Sequence, residues 1–508
     1  MEAVKHISMA SEETRQTKQF SGDLNALAGN VMAAVGMADV IRTTMGPRGL
    51  DKLLVDQMGN RVITNDGYTV LVSLKTAHPV SRLLVEIAER QEMNVGDGTT
   101  STVIMAAEML KEGYRMTSEC GIHPSRILSE LDEGVDIVAE YLNSIQIQIE
   151  SLKDPKVKDI LKTATASKLD GRQLSNHIML AADHLGPQSR TDLRHGILLL
   201  RRLGDDVFVD GIAIEAMPQE ISVVNYISNP NVCFIKGSLE FPLPGTQIED
   251  NERHDAERKA LIDALVKNEI NVVLTSAPNI DNAFKMELLT RNIALIRLSM
   301  EELVLFSRSL ETPAVYGSQI ISGNILPCFK ADSIELDEDK NLTILRAPKS
   351  GVAATLIIGG ATTETSKERM RTCIDGICGL HYALKGGVVP GGGIAELNAA
   401  RYLEKKMLDG KSQNIGCGIL VKGLESISRQ ILDNAGYNGY EMMVRLRSQP
   451  DGIGVDVATG EFINMVDNGI IDSRITKMHA IQIAVHIVKT VLKIDRNLLK
   501  DDPKEGVN

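Results

Sequence analysis

A glycine-rich segment, Gly96-Asp97-Gly98-Thr99-Thr100-Ser101, contains the residue types that a phosphate-binding loop needs. It lies between two stretches of helical periodicity, so its backbone N–H groups and the positive end of the following helix can converge on an anion. A carboxylate at Asp97 would repel phosphate unless a divalent cation lay between them. The segment therefore indicates a magnesium nucleotide, and a glycine-rich turn capped by Asp97 is the simpler alternative.

Two further glycine-rich turns, Gly46-Pro47-Arg48-Gly49 and Pro390-Gly391-Gly392-Gly393, offer backbone that a ligand can approach closely. The chain has no G-x-x-x-x-G-K-[ST] sequence, and the second turn lacks the strand-flanked G-x-G-x-x-G pattern of dinucleotide-binding folds. Both common families of phosphate loop are therefore disfavoured. Each turn taken alone is more simply a chain reversal.

The composition restricts the classes of protein to which the chain can belong. A length of 508 residues suggests about three domains, and 43% apolar with 24% charged residues is typical of globular proteins. The formal net charge is -12 without a basic stripe, so we expect no nucleic-acid partner. The start has no apolar signal segment, and no run approaches the ~18 apolar residues of a membrane span. We expect a soluble, cytoplasmic protein with no membrane partner.

The six cysteines are scattered and form no Cys-x-x-Cys pair, which argues against a disulfide framework and favours a reducing compartment. Cys373 and Cys378 lie five apart in a predicted helix, a spacing that does not bring two metal ligands side by side. Zinc is therefore disfavoured, and both residues are predicted to be small core residues.

Helical periodicity dominates both ends of the chain. Apolar residues recur at three and four positions between Gly22 and Met45, which predicts a long opening helix. A hairpin is predicted from Lys52–Val55 and Arg61–Thr64, followed by one helix from Pro79 and another running from the Asp97 segment to about Met116. Helical patterns return from Ser366, and the region from Ile394 onward is again mostly helical.

The centre of the chain, about 205–358, has a different pattern of apolar residues. Short β-branched runs alternate there with helical stretches such as Ala256–Val266, which predicts an α/β domain inserted between the helical ends. The predicted strands are Val207–Val209, Ile221–Tyr226, Val272–Thr275 and Ala294–Arg297. The two ends are expected to pack together, so the fold class is multidomain α+β.

Several motifs occur along the chain in a characteristic order and spacing: TMGPRGLDKLLVD, ITNDGYTVL, VGDGTTSTVIMAAEML, GIHPSRI, VVPGGGIAE and VLKIDRN. In this combination they resemble the chaperonins, and the likeness runs through nearly the whole chain, including Ala216-Met217-Pro218 and Ile358-Gly359-Gly360. The Thr-Met-Gly-Pro and His-Pro elements resemble the group II branch of thermosomes and TRiC. The resemblance implies a ring-forming, ATP-dependent molecular chaperone that binds unfolded proteins and couples Mg-ATP hydrolysis to closure and folding.

The resemblance also implies three domains built from five segments. A mostly helical equatorial domain would comprise 1–135 and 393–508, and a small intermediate domain 136–203 and 356–392. The α/β apical domain, which binds substrate proteins, would be 204–355. Partners would be unfolded or partly folded proteins and other chaperonin subunits in a homo- or hetero-oligomeric double ring.

Site residues follow from the same resemblance. Asp97 would hold Mg²⁺, while Gly98, Thr99, Thr100 and Ser101 would contact the phosphates of ATP. The same pocket would be lined by Met45, Gly46 and Pro47, bordered at the nucleoside by Gly392 and Gly393, and closed at the adenine or ribose end by Asp472. Since Asp472 precedes a predicted helix, a helix cap is its alternative role.

Three more residues would act on the terminal phosphate. The carboxylates of Asp66 and Asp375 match catalytic positions that place the attacking water, and Lys168 matches a lysine that senses that phosphate. Without the resemblance, Asp66 and Asp375 are most simply turn or surface residues, and Lys168 a solvated lysine.

The chain departs from the group II pattern in two places. After a strand expected near Phe234–Leu243, the stretch Pro244–Leu261 is polar and lacks the apolar tip of a built-in lid. Cys373-Ile374 stands where thermosomes often carry a second carboxylate. These departures motivate an alternative, a lid-shortened and weakly hydrolysing subunit that acts as a holdase or as a partner in a mixed ring. An unrelated metabolic kinase is a third hypothesis.

Overall fold

The structure is a computed structural model that describes residues 24–55, 58–59, 61–74, 76, 78–166, 168–186, 193–215, 226–239, 248–322, 326–337, 342–346, 353–409 and 414–495. The chain divides into two compact units. The first unit lies within 1–172 and 371–508, and the second lies within 173–370.

The helices of the described residues occur throughout the chain. They are α1 Leu24–Ile41, α2 Gly67–Ser73, α3 Pro79–Val95, α4 Thr99–Ser118, α5 Pro124–Ser144, α6 Pro155–Ala164, α7 Gly171–Leu185, α8 Leu193–Gly196, α9 Ile248–Lys267, α10 Asn282–Thr290, α11 Met300–Ser309, α12 Gly317–Ile321, α13 Thr363–Gly386, α14 Ile394–Asp409, α15 Ile415–Asn434, α16 Gly439–Arg447 and α17 Arg474–Leu492.

The strands are short, and most lie in the second unit. They are β1 Lys52–Val55, β2 Arg61–Thr64, β3 Ile197–Arg201, β4 Val207–Asp210, β5 Ile212–Glu215, β6 Tyr226–Ser228, β7 Asn231–Lys236, β8 Val272–Thr275, β9 Ala294–Arg297, β10 Val315–Tyr316, β11 Phe329–Lys330, β12 Ser333–Asp337, β13 Leu342–Arg346, β14 Ala354–Ile358, β15 Val388–Pro390, β16 Ile453–Val455, β17 Phe462–Asn464 and β18 Ile471–Ser473.

Helix α4 lies at the centre of the first unit and packs against α1, α15 and α17. Its residues from Thr102 to Ala107 are all fully buried, as are Met109 and Leu110. A helix that is buried on every side must sit inside its unit rather than at the surface. The core therefore fixes the N-terminus of α4, which begins directly after the Asp97 segment.

The helices of the first unit begin at recognisable sequence signals. Helices α3, α5 and α6 each start with a proline, and the side chain of the preceding residue, His78, His123 or Asp154, accepts a backbone N–H of the first turn. Proline suits this position because its missing N–H has no acceptor inside a helix anyway. The start of α3 at Pro79 is the one that the sequence analysis predicts.

Two antiparallel pairs in the first unit position chain turns. Strands β1 and β2 form the predicted hairpin, in which Lys52 pairs with Thr64, and the chain leaves β2 at Asn65-Asp66. Strands β15 and β18 pair Val389 with Asp472 and Pro390 with Ile471, so the glycine turn after Pro390 lies beside the beginning of β18.

The second unit contains a sheet in which β7, β8 and β9 are parallel, with β10 parallel and β11 antiparallel to the outer edge of β7. Successive residues of β7 are buried in two different clusters: Val232 and Phe234 on one face, Cys233 and Ile235 on the other. Burial on both faces is typical of parallel sheets covered by helices. Two further sheets have the strand orders β5-β13-β12-β6 and β3-β14-β4.

The predicted fold class is confirmed: the first unit is mostly helical, and the second alternates strands with helices. The strand predicted at Ile221–Tyr226 lies largely outside the described residues, which resume at β6, and Ala216-Met217-Pro218 lies outside them as well. In the part of the chain that the structure describes, no helix combines the length and apolar character needed to cross a membrane.

Candidate functional site

A cavity of about 560 Å³ opens within the first unit, and every site residue predicted from the sequence lines it. These residues are Met45, Gly46, Pro47, Asp66, Asp97, Gly98, Thr99, Thr100, Ser101, Lys168, Asp375, Gly392, Gly393 and Asp472. They come from widely separated parts of the sequence and meet because the helices and strand pairs of the unit converge there.

The N-terminus of α4 forms one wall of the cavity. Gly98 is the N-cap residue at a φ of 81°, a left-handed conformation that favours glycine, and it has no side chain to cap the helix. The first-turn N–H groups of Thr99, Thr100 and Ser101 have no acceptor inside the helix, so an anion in the cavity could accept them. This wall has the polarity that a phosphate group requires.

Asp97 is held rigidly at the start of this wall. Its Oδ1 accepts the N–H of Gly98 at 2.6 Å, and its carbonyl oxygen accepts Gln91 Nε2 at 2.7 Å. Burial raises the pKa of the Asp97 carboxyl, with Lys168 acting in the opposite direction. A carboxylate whose charge is disfavoured by burial is a suitable place for a cation.

Asp66 caps helix α2, so its predicted alternative as a turn residue describes its local geometry correctly. Its Oδ2 accepts the N–H of Thr69 at 3.0 Å and the Thr69 hydroxyl at 2.6 Å. The neighbouring Gly67 packs so closely on Thr100 that a Cβ would collide with Oγ1 of that residue. The cap therefore places the Asp66 carboxylate next to the cavity wall that the N-terminus of α4 forms.

Lys168 and Asp375 form an ion pair in the cavity. Only 14% of the lysine side chain and 8% of the aspartate side chain are exposed, so neither is the surface residue that the sequence alone would suggest. A pair this deeply buried fixes both side chains, because separating either one would leave an uncompensated charge in an apolar setting.

The glycine turn after β15 also lines the cavity. Gly393 has a φ of 80°, and a Cβ there would lie 2.6 Å from Ser428 Oγ. A Cβ on Gly392 would lie 2.5 Å from Met465 Cε. Only glycine lets the backbone of this turn pass so close to its neighbours and still border the cavity.

Asp472, the central residue of β18, lines the cavity, and the helix-cap alternative for it is wrong. The N-cap of α17 is Ser473, whose hydroxyl accepts the N–H of Thr476. The Asp472 Oδ2 instead lies 2.8 Å from the ammonium of Lys477. Its carboxylate is thus held by a side-chain partner at the cavity wall.

Sequence reasoning missed Lys477 and Glu396. The Lys477 Nζ lies 2.8 Å from Glu396 Oε1 as well as from Asp472 Oδ2, and only 1% of the Glu396 side chain is exposed. The second oxygen, Glu396 Oε2, is buried without a hydrogen-bond donor among the described residues. Burial opposes the charge of Lys477, and the two carboxylates outweigh it and raise the pKa of the ammonium. One signal was present: Glu396 ends the VVPGGGIAE motif.

Glu92 is a third residue that sequence reasoning missed. It lines the cavity, and its Oε2 accepts the Thr99 hydroxyl at 3.1 Å. Burial, reinforced by the carboxylate of Asp66, raises the pKa of Glu92 to about 7. Its position one turn before the glycine-rich segment, on the same helix as Gln91, was the only available clue.

Two hydroxyl groups in the cavity wall are directed away from any protein acceptor or donor. Ser428 Oγ and Thr476 Oγ1 are buried, and the described residues offer neither of them a hydrogen-bond partner. Buried polar atoms are normally satisfied, so these two indicate that a polar ligand belongs in the cavity. Across the described ranges, no group of three or more His, Cys, Asp or Glu side chains is arranged to hold a metal ion.

These features define a multidomain α+β protein whose helical unit holds a cavity lined by several carboxylates and by the N-terminus of α4. The sequence matches the TCP-1/cpn60 chaperonin family over residues 37–501, and the chain belongs to that family.

Individual chaperonins resemble the chain over most of its length. Thermosome subunit beta of Aeropyrum pernix is 27% identical, with 95% of this chain and 93% of the relative covered. Thermosome subunit alpha of Archaeoglobus fulgidus is 28% identical, with coverages of 94% and 93%. A crystal structure of a group III chaperonin in the open state is similar in fold, with a TM-score of 0.74 and 23% identity over 93% of this chain and 98% of that one.

Family membership confirms the sequence-based identification of a chaperonin of the thermosome type, an ATPase that acts in ATP-dependent protein folding. Membership of the chaperonin family also implies nucleotide binding, assembly into rings of subunits and binding of substrate proteins. The weakly hydrolysing alternative is not favoured. The segment that motivated it lies partly outside the described residues, which resume at α9.

Proposed function

We propose that the cavity of the first unit binds ATP together with Mg²⁺ and hydrolyses the terminal phosphate. The observation that supports this most strongly is the convergence of all predicted site residues, from Met45 to Asp472, on one cavity. Family membership implies a nucleotide.

The phosphates would be bound by the first-turn N–H groups of α4 and by the Thr99, Thr100 and Ser101 side chains. Asp97 would hold the metal, which neutralises charge on the phosphate oxygens when bound. Mg²⁺ is usually held by one or two carboxylates together with substrate phosphates rather than by a full protein cage. A single buried carboxylate beside a helix N-terminus fits that requirement.

The residues around the terminal phosphate would position water rather than form covalent bonds, since phosphoryl transfer requires mainly positioning and charge stabilisation. Asp375 is paired with Lys168 in the structure. A terminal phosphate would offer the Lys168 ammonium a second anionic partner, which would free one Asp375 oxygen to accept a proton from the attacking water. Asp66, fixed by its capping hydrogen bonds, would orient the same water.

The nucleoside would lie between the glycine turn and the carboxylate of Asp472. The ammonium of Lys477, on α17, holds that carboxylate in place. Ser428 Oγ and Thr476 Oγ1 are available for further hydrogen bonds to the sugar or base. This end would select the nucleoside, while the α4 end binds the phosphates.

At the level of the whole protein, we propose the division into equatorial, intermediate and apical domains given by the sequence, with 204–355 binding unfolded or partly folded proteins. The subunits would assemble into a double ring, either of one chain or with related chains. Mg-ATP hydrolysis in the equatorial domain would then be coupled to closure of the ring. The cytoplasm is the expected location.

Calorimetric titration of the assembled protein with ATP, in the presence of Mg²⁺ and separately of EDTA, tests the proposal. Asp97→Ala is expected to remove the magnesium-dependent part of the binding, whereas Asp409→Ala, an exposed aspartate at the end of α14, should leave it intact. Equal magnesium-dependent binding by the wild type and Asp97→Ala would refute the assignment of the metal. Absence of ATP binding by the wild-type protein would refute the proposed function.

A further inference from the structure

Two free cysteines of the second unit lie near each other: Cys233 on β7, and Cys328 immediately before β11. Strand β11 runs antiparallel to β7, with Phe329 opposite Val232 and Lys330 opposite Asn231. One step further along this register would place Cys328 opposite Cys233. Both thiols are free in the structure.

The backbone hydrogen bonds at the start of β7 show which residues of this strand direct their N–H and C=O groups toward β11. The Asn231 carbonyl accepts the N–H of Asn271 and its own N–H donates to the Asn271 side chain, so Asn231 faces β8. Pro230, one residue earlier, faces β11, because its carbonyl accepts the N–H of Ala331. The direction alternates along a strand, so Val232 faces β11 and Cys233 again faces β8.

Extended by one residue beyond Phe329, this register would make Cys233 and Cys328 a non-hydrogen-bonded pair, the position at which antiparallel Cα atoms approach to about 4.5 Å and side chains are closest. Disulfides span Cα separations of roughly 4.4–6.8 Å, so this position is within the range that a disulfide can bridge without a backbone movement. Facing residues of an antiparallel pair also project from the same side of the sheet.

The surroundings agree with this placement. Cys233 is fully buried in the cluster that also contains Leu326, so the chain just before β11 lies over the same face of the sheet. Burial raises the pKa of the Cys233 thiol, and the nearby Cys328 raises it further. Cys328 is exposed and accessible to reagents in solution.

We propose that Cys233 and Cys328 form a reversible redox site that reacts with small-molecule disulfides of the oxidised glutathione class. The Cys328 thiolate attacks the reagent, forming a mixed disulfide and releasing one reagent thiol. Cys233, after losing its proton, attacks the Cys328 sulfur, breaking the mixed disulfide and releasing the second reagent thiol. The two cysteines lose two protons and two electrons in total, and the reagent is reduced to two thiols.

The bond would fasten the segment before β11 to the edge of β7 and close a long loop of the second unit. In a reducing compartment both thiols stay reduced, and the bond forms when the pool of small disulfides rises. Closing a long loop restricts the unfolded chain, so the oxidised protein is expected to resist thermal unfolding better than the reduced protein.

Peptide mapping by mass spectrometry after incubation of the full chain with oxidised glutathione tests this directly. In the wild type we expect a cross-linked pair of peptides containing Cys233 and Cys328, reversed by dithiothreitol. Cys120, which is exposed, is the internal control and should keep a glutathione adduct. In Cys233→Ala the adduct should persist on Cys328, because the resolving thiol is gone, and the rise in melting temperature on oxidation should disappear.

A stable glutathione adduct on Cys328 of the wild type, with no peptide joining it to Cys233, would overturn the proposal. So would cross-links that join Cys328 of one subunit to Cys328 of another. Because the wild-type protein alone distinguishes these results, the test stands even if Cys233→Ala folds poorly.

Discussion

Lys168 and Asp375, which lie 207 positions apart in the sequence, form a buried ion pair on the wall of the cavity. The resemblance to chaperonins implies a separate role in hydrolysis for each, Lys168 toward the terminal phosphate and Asp375 toward the attacking water. Their contact makes these roles interdependent: while Lys168 binds Asp375, the carboxylate is less available to accept a proton. Arrival of a phosphate between them would change the partner of the lysine.

Asp375→Asn should lower the rate of ATP hydrolysis by about 100-fold or more, the usual effect of removing a group that accepts a proton in the transition state. ATP binding should change little. Lys168→Met should also slow hydrolysis, and the double variant should be no slower than Asp375→Asn, because residues that act together have non-additive effects. Steady-state phosphate release measures the rates, with Asp409→Asn as the control. Multiplicative losses in the double variant would show that the two residues act independently.

Glu92 is expected to make stability depend on pH. Its pKa is raised from 4.5 to about 7, so between these values the folded protein keeps a proton that the unfolded chain releases. Stability is therefore lost as pH rises from about 5 to about 7, by at most roughly 3 kcal/mol. Glu92→Gln removes this loss and can still accept the Thr99 hydroxyl.

Melting temperatures of the nucleotide-free protein in EDTA provide the measurement. The difference between Glu92→Gln and the wild type should become more positive from pH 5 to pH 8. Glu86→Gln, an exposed position on the same helix, should show a difference that does not vary with pH. A flat difference for Glu92→Gln would mean that this carboxyl ionises at its ordinary pKa in the folded protein.

Lys477→Met should strongly destabilise the first unit. It leaves the Glu396 carboxylate, with 1% of its side chain exposed, without its cation, and removing one partner of a buried ion pair costs about 3–5 kcal/mol. Lys489→Met on the same helix is the matched control. Its ammonium pairs with the exposed Asp132, and such surface pairs contribute about 0–1 kcal/mol. Thermal unfolding should show a much larger loss of stability in Lys477→Met than in Lys489→Met. Equal losses in the two variants would contradict a buried ion pair between Lys477 and Glu396.

Two glycines of helix α15 should respond in opposite ways to alanine. A Cβ on Gly423 would lie 2.6 Å from Met109 Cγ and 3.3 Å from the Met105 carbonyl oxygen, whereas Gly418 has nothing within 4 Å. Overpacking of this kind costs about 1–3 kcal/mol, and an unobstructed glycine-to-alanine change inside a helix gains up to about 1 kcal/mol. Gly423→Ala should therefore melt below the wild type and Gly418→Ala above it. A stabilised Gly423→Ala would show that α15 and α4 can separate without penalty.

Most elements of the fold were predictable because their signals are local. Apolar periodicity, prolines at helix starts and the turn between β1 and β2 act over a few residues, and the structure places these elements where the sequence suggested. The change near residue 205 from helical periodicity to short β-branched runs is likewise a local signal, because each run consists of neighbouring residues. All the site residues that the family resemblance predicts line the cavity.

What each side chain contacts was decided only by the tertiary structure. Ser473 rather than Asp472 caps α17, since the Lys477 ammonium engages the aspartate from the next helical turn. The contact of Lys168 with Asp375 and the proximity of Cys233 and Cys328 join positions far apart in sequence, and neither follows from a local pattern. Such contacts depend on how helices and strands pack, and burial then sets the charges and the pKa values of the groups brought together.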